Sequence, residues 1–124
     1  MSQDIISDVL NQIMNAKKAG KSELVTGRYS KFLIEILGIA KKEGYMDYKI
    51  DKEKKLIIEI KNLNKCKAIK PRFYVTVDKI EKYMRRYLPA KNFGIIIIST
   101  SKGLMTQKEA YEKNIGGSLI AYFY

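Results

Sequence analysis

Ser99 and Lys102 have the spacing of acyl transferases that use a serine nucleophile. In that chemistry, a lysine whose pKa is lowered by burial deprotonates the serine hydroxyl, which then attacks an acyl carbon. Four residues match such a pattern easily by chance. These enzymes also need companion motifs and a deep pocket, which a basic chain of 124 residues can hardly build. A small Ser–Lys hydrolase is therefore kept only as an alternative to be tested.

The same stretch is better suited to binding a nucleic acid. Ser99, Thr100 and Ser101 place three hydroxyls in succession, and each can donate and accept hydrogen bonds to base edges, 2′-hydroxyls or phosphates. Lys102 adds a positive charge, and Gly103 lets the backbone approach a ligand closely. Residues 99–103 are therefore predicted to form a loop that grips a distorted RNA element. The alternative is an ordinary connection between a strand and a capped helix.

Composition excludes several classes of site. The chain has no histidine, which rules out Ser–His and Cys–His nucleophile pairs and histidine-ligated metals. Its single cysteine, Cys66, cannot form a disulfide framework or a zinc cage within one chain. We therefore expect no enzyme activity, cofactor, metal or small-molecule substrate. Neighbouring lysines would favour the thiolate of Cys66, but without a partner residue we interpret this cysteine as structural.

The net charge of +11 is unevenly distributed. Residues 61–91, the basic belt, carry ten basic and two acidic side chains, or +8 of that total. Lys70 and Arg72 lie within it and are candidate phosphate contacts. A polyanion is the natural partner for such a belt, although the charge could also serve solubility alone. With no secretory signal and no apolar run of membrane length, we expect a cytoplasmic protein without a membrane partner.

The first half of the chain predicts the element order α-β-α-β-β. Apolar residues recur at helical spacing near the start, where Ser2 or Asp4 can cap the helix. A short apolar stretch and a turn precede a second, largely apolar helix that begins at Ser30. Alternating residues on both sides of a charged turn at 51–55 then predict a β-hairpin.

The second half reads as mainly β with short helices. We predict a strand over 73–77, a helix capped by Asp78 and Glu81, a buried strand over 95–98 and a helix capped by Thr106 and Glu109. A turn at Gly116-Gly117 leads into a last strand over 119–124. The fold class is therefore α+β, with two small domains packed together over residues 1–64 and 65–124.

Several further residues are candidates with equally plausible structural roles. Gly116 and Gly117 either supply positive φ in a turn or allow a sugar-phosphate chain to approach. Asn11 and Asn15 share one helix face, which is either solvated or in contact with RNA. Ser30-Lys31 begins a helix whose free N–H groups could receive a phosphate, although capping alone explains the serine equally well.

These segments together resemble the small-subunit ribosomal protein eight (S-eight) family. The resemblance is carried by residues 92–106 with Glu109-Ala110 and Gly116-Gly117, and by the first helix over 8–16. Its archaeal and eukaryotic branch is indicated by residues 64–66, 69, 71–73 and 88–90, and the ending over 121–124 is similar to archaeal members. Lys67 departs from the glycine usual in that branch, so a tight turn there is not expected.

The resemblance implies a two-domain α+β protein that binds the central domain of small-subunit ribosomal RNA early in assembly, beside neighbouring small-subunit proteins. It places Ser99, Thr100, Ser101 and Lys102 on the principal RNA-contacting loop, with Gly116 and Gly117 beside it. It places Asn11, Asn15, Ser30 and Lys31 on backbone contacts of the N-terminal domain. Bacterial members also repress translation of their own operon, so a repressor that binds its own messenger RNA through the same surface is the alternative function.

Overall fold

The computed structural model of the chain describes residues 5–70, 72–90 and 93–124. The predicted cap at Ser2 or Asp4 lies outside these residues, as do Pro71, Lys91 and Asn92. The chain divides into two compact units, Met1–Cys66 (unit 1) and Lys67–Tyr124 (unit 2). The boundary after residue 64 stays a prediction of where the chain separates into domains.

Unit 1 has the predicted order α-β-α-β-β. Its elements are α1 (Ile5–Lys18), β1 (Glu23–Thr26), α2 (Lys31–Lys42), β2 (Met46–Ile50) and β3 (Leu56–Ile60). The three strands form an antiparallel sheet in the order β1-β3-β2. The charged turn between β2 and β3 joins the two paired strands directly, so the predicted hairpin is confirmed.

Both helices of unit 1 follow from their apolar spacing. In α1 the predicted stripe of Ile6, Val9, Leu10 and Ile13 is buried. In α2 the Ser30 hydroxyl accepts a hydrogen bond from the N–H of Leu33 at 3.1 Å, which satisfies one of the unpaired amides of the first turn. The structure thus confirms both predicted helices and the capping role of Ser30.

Unit 2 is mainly β, as predicted. Its first strand is β4 (Cys66–Ala68), which begins at the last residue of unit 1. The other elements are β5 (Tyr74–Val75), a 3₁₀ turn (Val77–Lys79), α3 (Ile80–Tyr87), β6 (Ile95–Thr100), β7 (Gly103–Thr106), α4 (Gln107–Glu112) and β8 (Gly117–Phe123). The sheet order is β4-β8-β6-β7, and β5 also pairs with β8. Together with unit 1 this confirms the α+β fold class.

One face of the unit 2 sheet carries a hydrophobic core. Ile98 pairs in register with Met105 on β7 and Leu119 on β8, and all three are buried in one cluster. Ile80 and Leu88, at the two ends of α3, belong to that cluster, and so does Ala110 of α4. Both helices therefore cover the same face of the sheet.

Two predictions for the part of unit 2 before β6 are wrong. The strand predicted over 73–77 is only Tyr74–Val75, because Val77 already begins the 3₁₀ turn. The predicted cap by Asp78 and Glu81 is absent: α3 begins at Ile80 without a side-chain cap. Asp78 instead accepts a hydrogen bond from the Thr76 hydroxyl. The second predicted capping box, Thr106 with Glu109, is present in full.

Within the ranges that the structure describes, no helix combines the length and the apolar character needed to cross a membrane.

Candidate nucleic-acid interface

Residues 99–103 form a tight hairpin rather than the predicted loop. Ser99 pairs with Leu104 and Thr100 with Gly103, so that only Ser101 and Lys102 stand between the strands. Gly103 has a φ of +106°, a value that residues other than glycine rarely adopt. The hairpin is possible because glycine stands at the position that turns the chain back, and it exposes Ser101 and Lys102 at its tip.

The Thr100 side chain stabilises this hairpin by two hydrogen bonds within it. Its hydroxyl donates to the carbonyl of Gly103 at 2.8 Å and accepts from the N–H of Lys102 at 3.1 Å. A hydroxyl has one proton and two lone pairs, so one lone pair of Thr100 is left for a ligand. The Ser99 and Ser101 hydroxyls, in contrast, have no hydrogen-bond partner within the described residues. Of the three predicted RNA-reading hydroxyls, the two serines are therefore the more available.

The two consecutive glycines allow close packing rather than a left-handed turn. Neither has a positive φ, and Gly117 is already the first residue of β8. A Cβ on Gly117 would lie 2.3 Å from the carbonyl oxygen of Ser99, and one on Gly116 would lie 2.4 Å from that of Val75. The predicted turn with positive φ is wrong, because what these positions need is the absence of a side chain. This close approach brings β8 against the base of the hairpin.

The sheet register places a row of side chains across four strands. Tyr74 on β5 pairs with Ser118 on β8, Ser118 pairs with Ser99 on β6, and Ser99 pairs with Leu104 on β7. Directly paired residues point to the same face, so these four side chains form one line, which we call the hydroxyl row. The two serines and Leu104 are half-buried, and Tyr74 is 66% exposed.

Of the four members of this row, sequence reasoning identified only Ser99 and missed Tyr74, Ser118 and Leu104. Ser118 follows Gly117 in a strand of alternating character, which is a weak signal for an outward-facing hydroxyl. Nothing in the local sequence indicates that Tyr74 pairs with it, because the two lie 44 positions apart. The row offers an aromatic face, two hydroxyls and the exposed Lys102 nearby, a set of groups suited to sugar and base edges.

The remaining predicted residues of unit 2 belong to the basic belt. Lys70 and Arg72 are exposed at the segment that leads into β5. They lie on either side of position 71 and add two positive charges before the first strand of the hydroxyl row. Their exposure suits phosphate attraction, the role that the sequence predicts for them.

The candidate residues of unit 1 lie on two separate helices. Asn11 and Asn15 are exposed on α1, and Asn15 lines an open groove of about 410 Å³ between α1 and β1. Lys31 is exposed at the first position of α2, next to Ser30, whose hydroxyl already caps that helix. Ser30 is therefore accounted for by the fold, whereas the other three side chains are open to a ligand.

Cys66 is a structural residue, as predicted, and its neighbouring lysines do not turn it into a thiolate. Its thiol is buried and donates to the carbonyl of Leu10 at 3.7 Å. Burial raises the pKa of Cys66 to about 12, because the apolar surroundings disfavour the charged form. The thiol therefore stays protonated and unreactive at neutral pH.

Ser99 and Lys102 are not arranged as a nucleophile and its base. Ser99 is a strand residue paired on both sides, and Lys102 is exposed at the hairpin tip. A general base must lie within hydrogen-bond reach of the proton that it removes, and no hydrogen bond joins these two side chains within the described residues. The geometry does not support the Ser–Lys hydrolase.

Comparison with known proteins gives consistent results over the whole chain. A family model described as ribosomal protein S8 matches residues 4–124. The small ribosomal subunit protein uS8 of Nanoarchaeum equitans is 45% identical, with 100% of both chains covered. The protein of that name from Picrophilus torridus is 41% identical, again with 100% of both covered. The uS8A protein of Schizosaccharomyces pombe is 35% identical over 98% of each chain.

Proposed function

The chain belongs to the ribosomal protein S8 family, and we propose that it binds small-subunit ribosomal RNA through the hydroxyl row and hairpin of unit 2. Members of this family are structural ribosomal proteins rather than enzymes, which also removes the hydrolase alternative. The protein is thus a structural component of the ribosome.

The hydroxyl row is the observation that carries this proposal. Ser99 and Ser118 stand side by side on paired strands, and neither hydroxyl has a partner within the described residues. Each can donate to and accept from a base edge or a 2′-hydroxyl, and a contact with the 2′-hydroxyl is what distinguishes RNA from DNA. Tyr74 extends the row with an exposed ring on which an unstacked base can lie.

Because the hairpin and the hydroxyl row are rigid, they can recognise an RNA element by its shape. The hairpin is fixed by the two hydrogen bonds of Thr100 and by the close approach of Gly117 to Ser99. A rigid row loses little conformational entropy on binding, and it fits an irregular RNA element better than a regular helix, whose bases are stacked away. The basic belt adds salt-dependent attraction to phosphates that is independent of sequence.

The proposed target is the central domain of small-subunit ribosomal RNA, bound early in assembly in the cytoplasm, with other small-subunit proteins as neighbours. The support for this is the family relationship together with the extended match of residues 92–106 to the family pattern. The alternative, repression of the protein's own messenger RNA through the same surface, stays a prediction because no observation here favours it.

A competition experiment tests the proposal. Binding of a central-domain RNA fragment is measured against a scrambled helix of equal length over a range of salt concentrations. We expect the cognate preference to survive at high salt and to fall by about 1–3 kcal/mol per residue on Ser99→Ala or Ser118→Ala. Ser22→Ala, an exposed serine of unit 1, is the control and leaves binding unchanged. Equal binding of both RNAs by the wild-type protein, fading together with salt, would refute the proposed readout.

A further inference from the structure

Helix α3 carries a cationic stripe on its solvent side. Lys79, at its N-cap, and Lys82 and Arg86 within it follow one another at i, i+3 and i+7. This spacing lines them up on one side of a helix. All three are exposed, whereas Ile80 and Leu88, at the ends of the helix, are buried in the core of unit 2.

The described acidic residues near this stripe form no ion pair with it, and Asp78 interacts only weakly with Lys79. Glu81 pairs with Arg85 at 3.5 Å, and Asp78 accepts a hydrogen bond from the Thr76 hydroxyl. Within the described residues, Lys79, Lys82 and Arg86 form no ion pair. Helix α4, on the same face of the sheet, differs in this respect, because an acidic residue stands next to each exposed cation: Glu109 follows Lys108, and Glu112 precedes Lys113 at the C-cap.

Two of the three cations of the stripe lie over tyrosine rings. The Lys82 ammonium lies 5.9 Å from the ring centre of Tyr83, and the Arg86 guanidinium lies 5.6 Å from that of Tyr87. Both rings pack against the buried core of unit 2. Cation–π contacts of this kind attract the charged head towards the ring face, so the two side chains are partly ordered before any ligand arrives.

The stripe and the hydroxyl row belong to opposite sides of the sheet. Ile98 and Met105 point towards α3, since all of them contribute to one core cluster. Ser99 and Leu104 are their immediate neighbours along the strands, and successive strand residues point to opposite faces. The hydroxyl row therefore lies on the sheet face opposite to α3. The stripe lies on the solvent side of α3, so the sheet and the helix separate the two surfaces.

We propose that the stripe of Lys79, Lys82 and Arg86 is a second RNA-contacting surface, which binds the phosphate backbone of a different RNA segment from the one at the hydroxyl row. This inference rests on the proposed RNA-binding function. Phosphodiesters are the ligand class that the stripe fits, because its aligned, exposed positive charges attract phosphates whatever the base sequence. Contacting RNA on both faces would make unit 2 a clamp between two RNA segments.

Directed cleavage of the RNA tests the clamp. An iron chelate that generates hydroxyl radicals is attached to Lys82→Cys or, separately, to Lys102→Cys at the hairpin tip, each in the full-length chain. The wild-type protein, whose Cys66 is buried, is the labelling control. We expect the two tethers to cut different segments of a central-domain transcript.

The outcomes separate this inference from the proposed function. Cuts at the same nucleotides from both tethers would overturn the clamp, and so would cuts from Lys102→Cys alone, a result that would assign α3 to another partner such as an acidic protein. If neither tether cuts and the unmodified protein does not bind the transcript, the proposed function itself fails, and the clamp fails with it.

Matched variants supply a second readout. Lys82→Gln/Arg86→Gln on α3 and Lys108→Gln/Lys113→Gln on α4 remove the same charge. If the stripe binds two phosphates, the α3 pair lowers the slope of log affinity against log salt by about 1.4 to 1.8 and leaves the preference for cognate over scrambled RNA unchanged. Equal slopes for the two pairs would show that α3 contributes only through net charge, which contradicts the proposal.

Discussion

The two units differ in how their candidate RNA-binding residues are brought together. In unit 2, Tyr74, Ser118 and Ser99 come from three strands that are distant in sequence and form one line. In unit 1, Asn11 and Asn15 lie on α1, whereas Lys31 lies at the start of α2. Unit 2 therefore presents a composite surface, while unit 1 presents separate polar positions on helices.

This difference indicates that the two units contribute differently to RNA binding. A line of hydroxyls fixed by strand register can match the shape of one RNA element, because the spacing between its members is set by the sheet. Exposed asparagines and lysines on separate helices suit backbone contacts, which position a complex without carrying sequence information. We therefore expect unit 2 to determine specificity and unit 1 to add affinity.

The largest effect is expected where β8 meets the hairpin. In Gly117→Ala the new Cβ would lie 2.3 Å from the Ser99 carbonyl oxygen and 2.8 Å from the Cγ2 of Ile98, so strands β6 and β8 must separate. We expect a loss of about 3 kcal/mol in the free energy of unfolding, together with loss of cognate RNA preference. Urea denaturation and RNA competition measure the two effects.

Gly27→Ala in unit 1 is the control for this change. Apart from its chain neighbours, no heavy atom lies within 4 Å of the Cβ that Gly27→Ala would add, and the φ of Gly27 is not in the left-handed region. The free energy of unfolding of the Gly27→Ala variant should differ from that of the wild-type protein by less than about 1 kcal/mol. Similar losses for both glycines would show that the contact between Gly117 and Ser99 is not a special constraint.

Two equally exposed tyrosines test whether the row itself binds RNA. Tyr74 on the row is 66% exposed, and Tyr111 on α4 is 64% exposed. If a base stacks on Tyr74, Tyr74→Ala weakens cognate binding by about 1–3 kcal/mol, whereas Tyr111→Ala has no effect. Fluorescence titration with the central-domain fragment measures both. A larger loss for Tyr111 would move the interface away from the hydroxyl row.

A smaller effect distinguishes two hydroxyls that cap backbone amides in the two units. Thr100→Ala removes the two hydrogen bonds inside the hairpin, and Ser30→Ala removes the cap of α2. Each should cost about 1 kcal/mol of stability. Only Thr100→Ala should also reduce cognate RNA preference, because only that hydroxyl shapes the hairpin. Thermal unfolding and RNA competition on the same samples give the comparison, and an equal loss of preference in both variants would contradict it.

The smallest effect concerns Cys66, at the end of unit 1. Because burial raises the pKa of Cys66 to about 12 from its ordinary value of 9.0, the folded state favours the neutral thiol. This contribution to stability is fully present below pH 9 and is lost as the pH rises from 9 towards 12. Labelling by iodoacetamide should therefore be slow at pH 8 in the folded protein and fast in urea. Rapid labelling of the folded protein would show that the thiol is accessible.

Local patterns predicted the elements well, and contacts between distant strands account for what they missed. The run of Ile95 to Ile98 predicted a buried strand, and the Thr106 capping box was found as expected. The end of that strand was misread because Ser99 and Thr100 look polar and loop-forming, although β7 pairs with them.

The candidate site was predicted in part for the same reason. Ser99 and Gly117 were identified from the sequence, but their contact depends on the register of β6 and β8, which no local pattern specifies. Ser118 and Tyr74 became candidates only when that register was known. Likewise, Asp78 and Glu81 have the spacing of a capping box, but the hydrogen bond of Asp78 with Thr76 and the 3₁₀ turn replace it.

Thr106 is at once the last residue of β7 and the N-cap of α4. No linker separates the hairpin from the helix, and Thr106 is also paired with Ile97 on β6. Any change in the pairing of β7 therefore reaches the first turn of α4 through a single residue. The N–H of Glu109 donates to the Thr106 hydroxyl at 3.3 Å, so amide exchange at Glu109 would report a change at the hairpin from outside the binding surface.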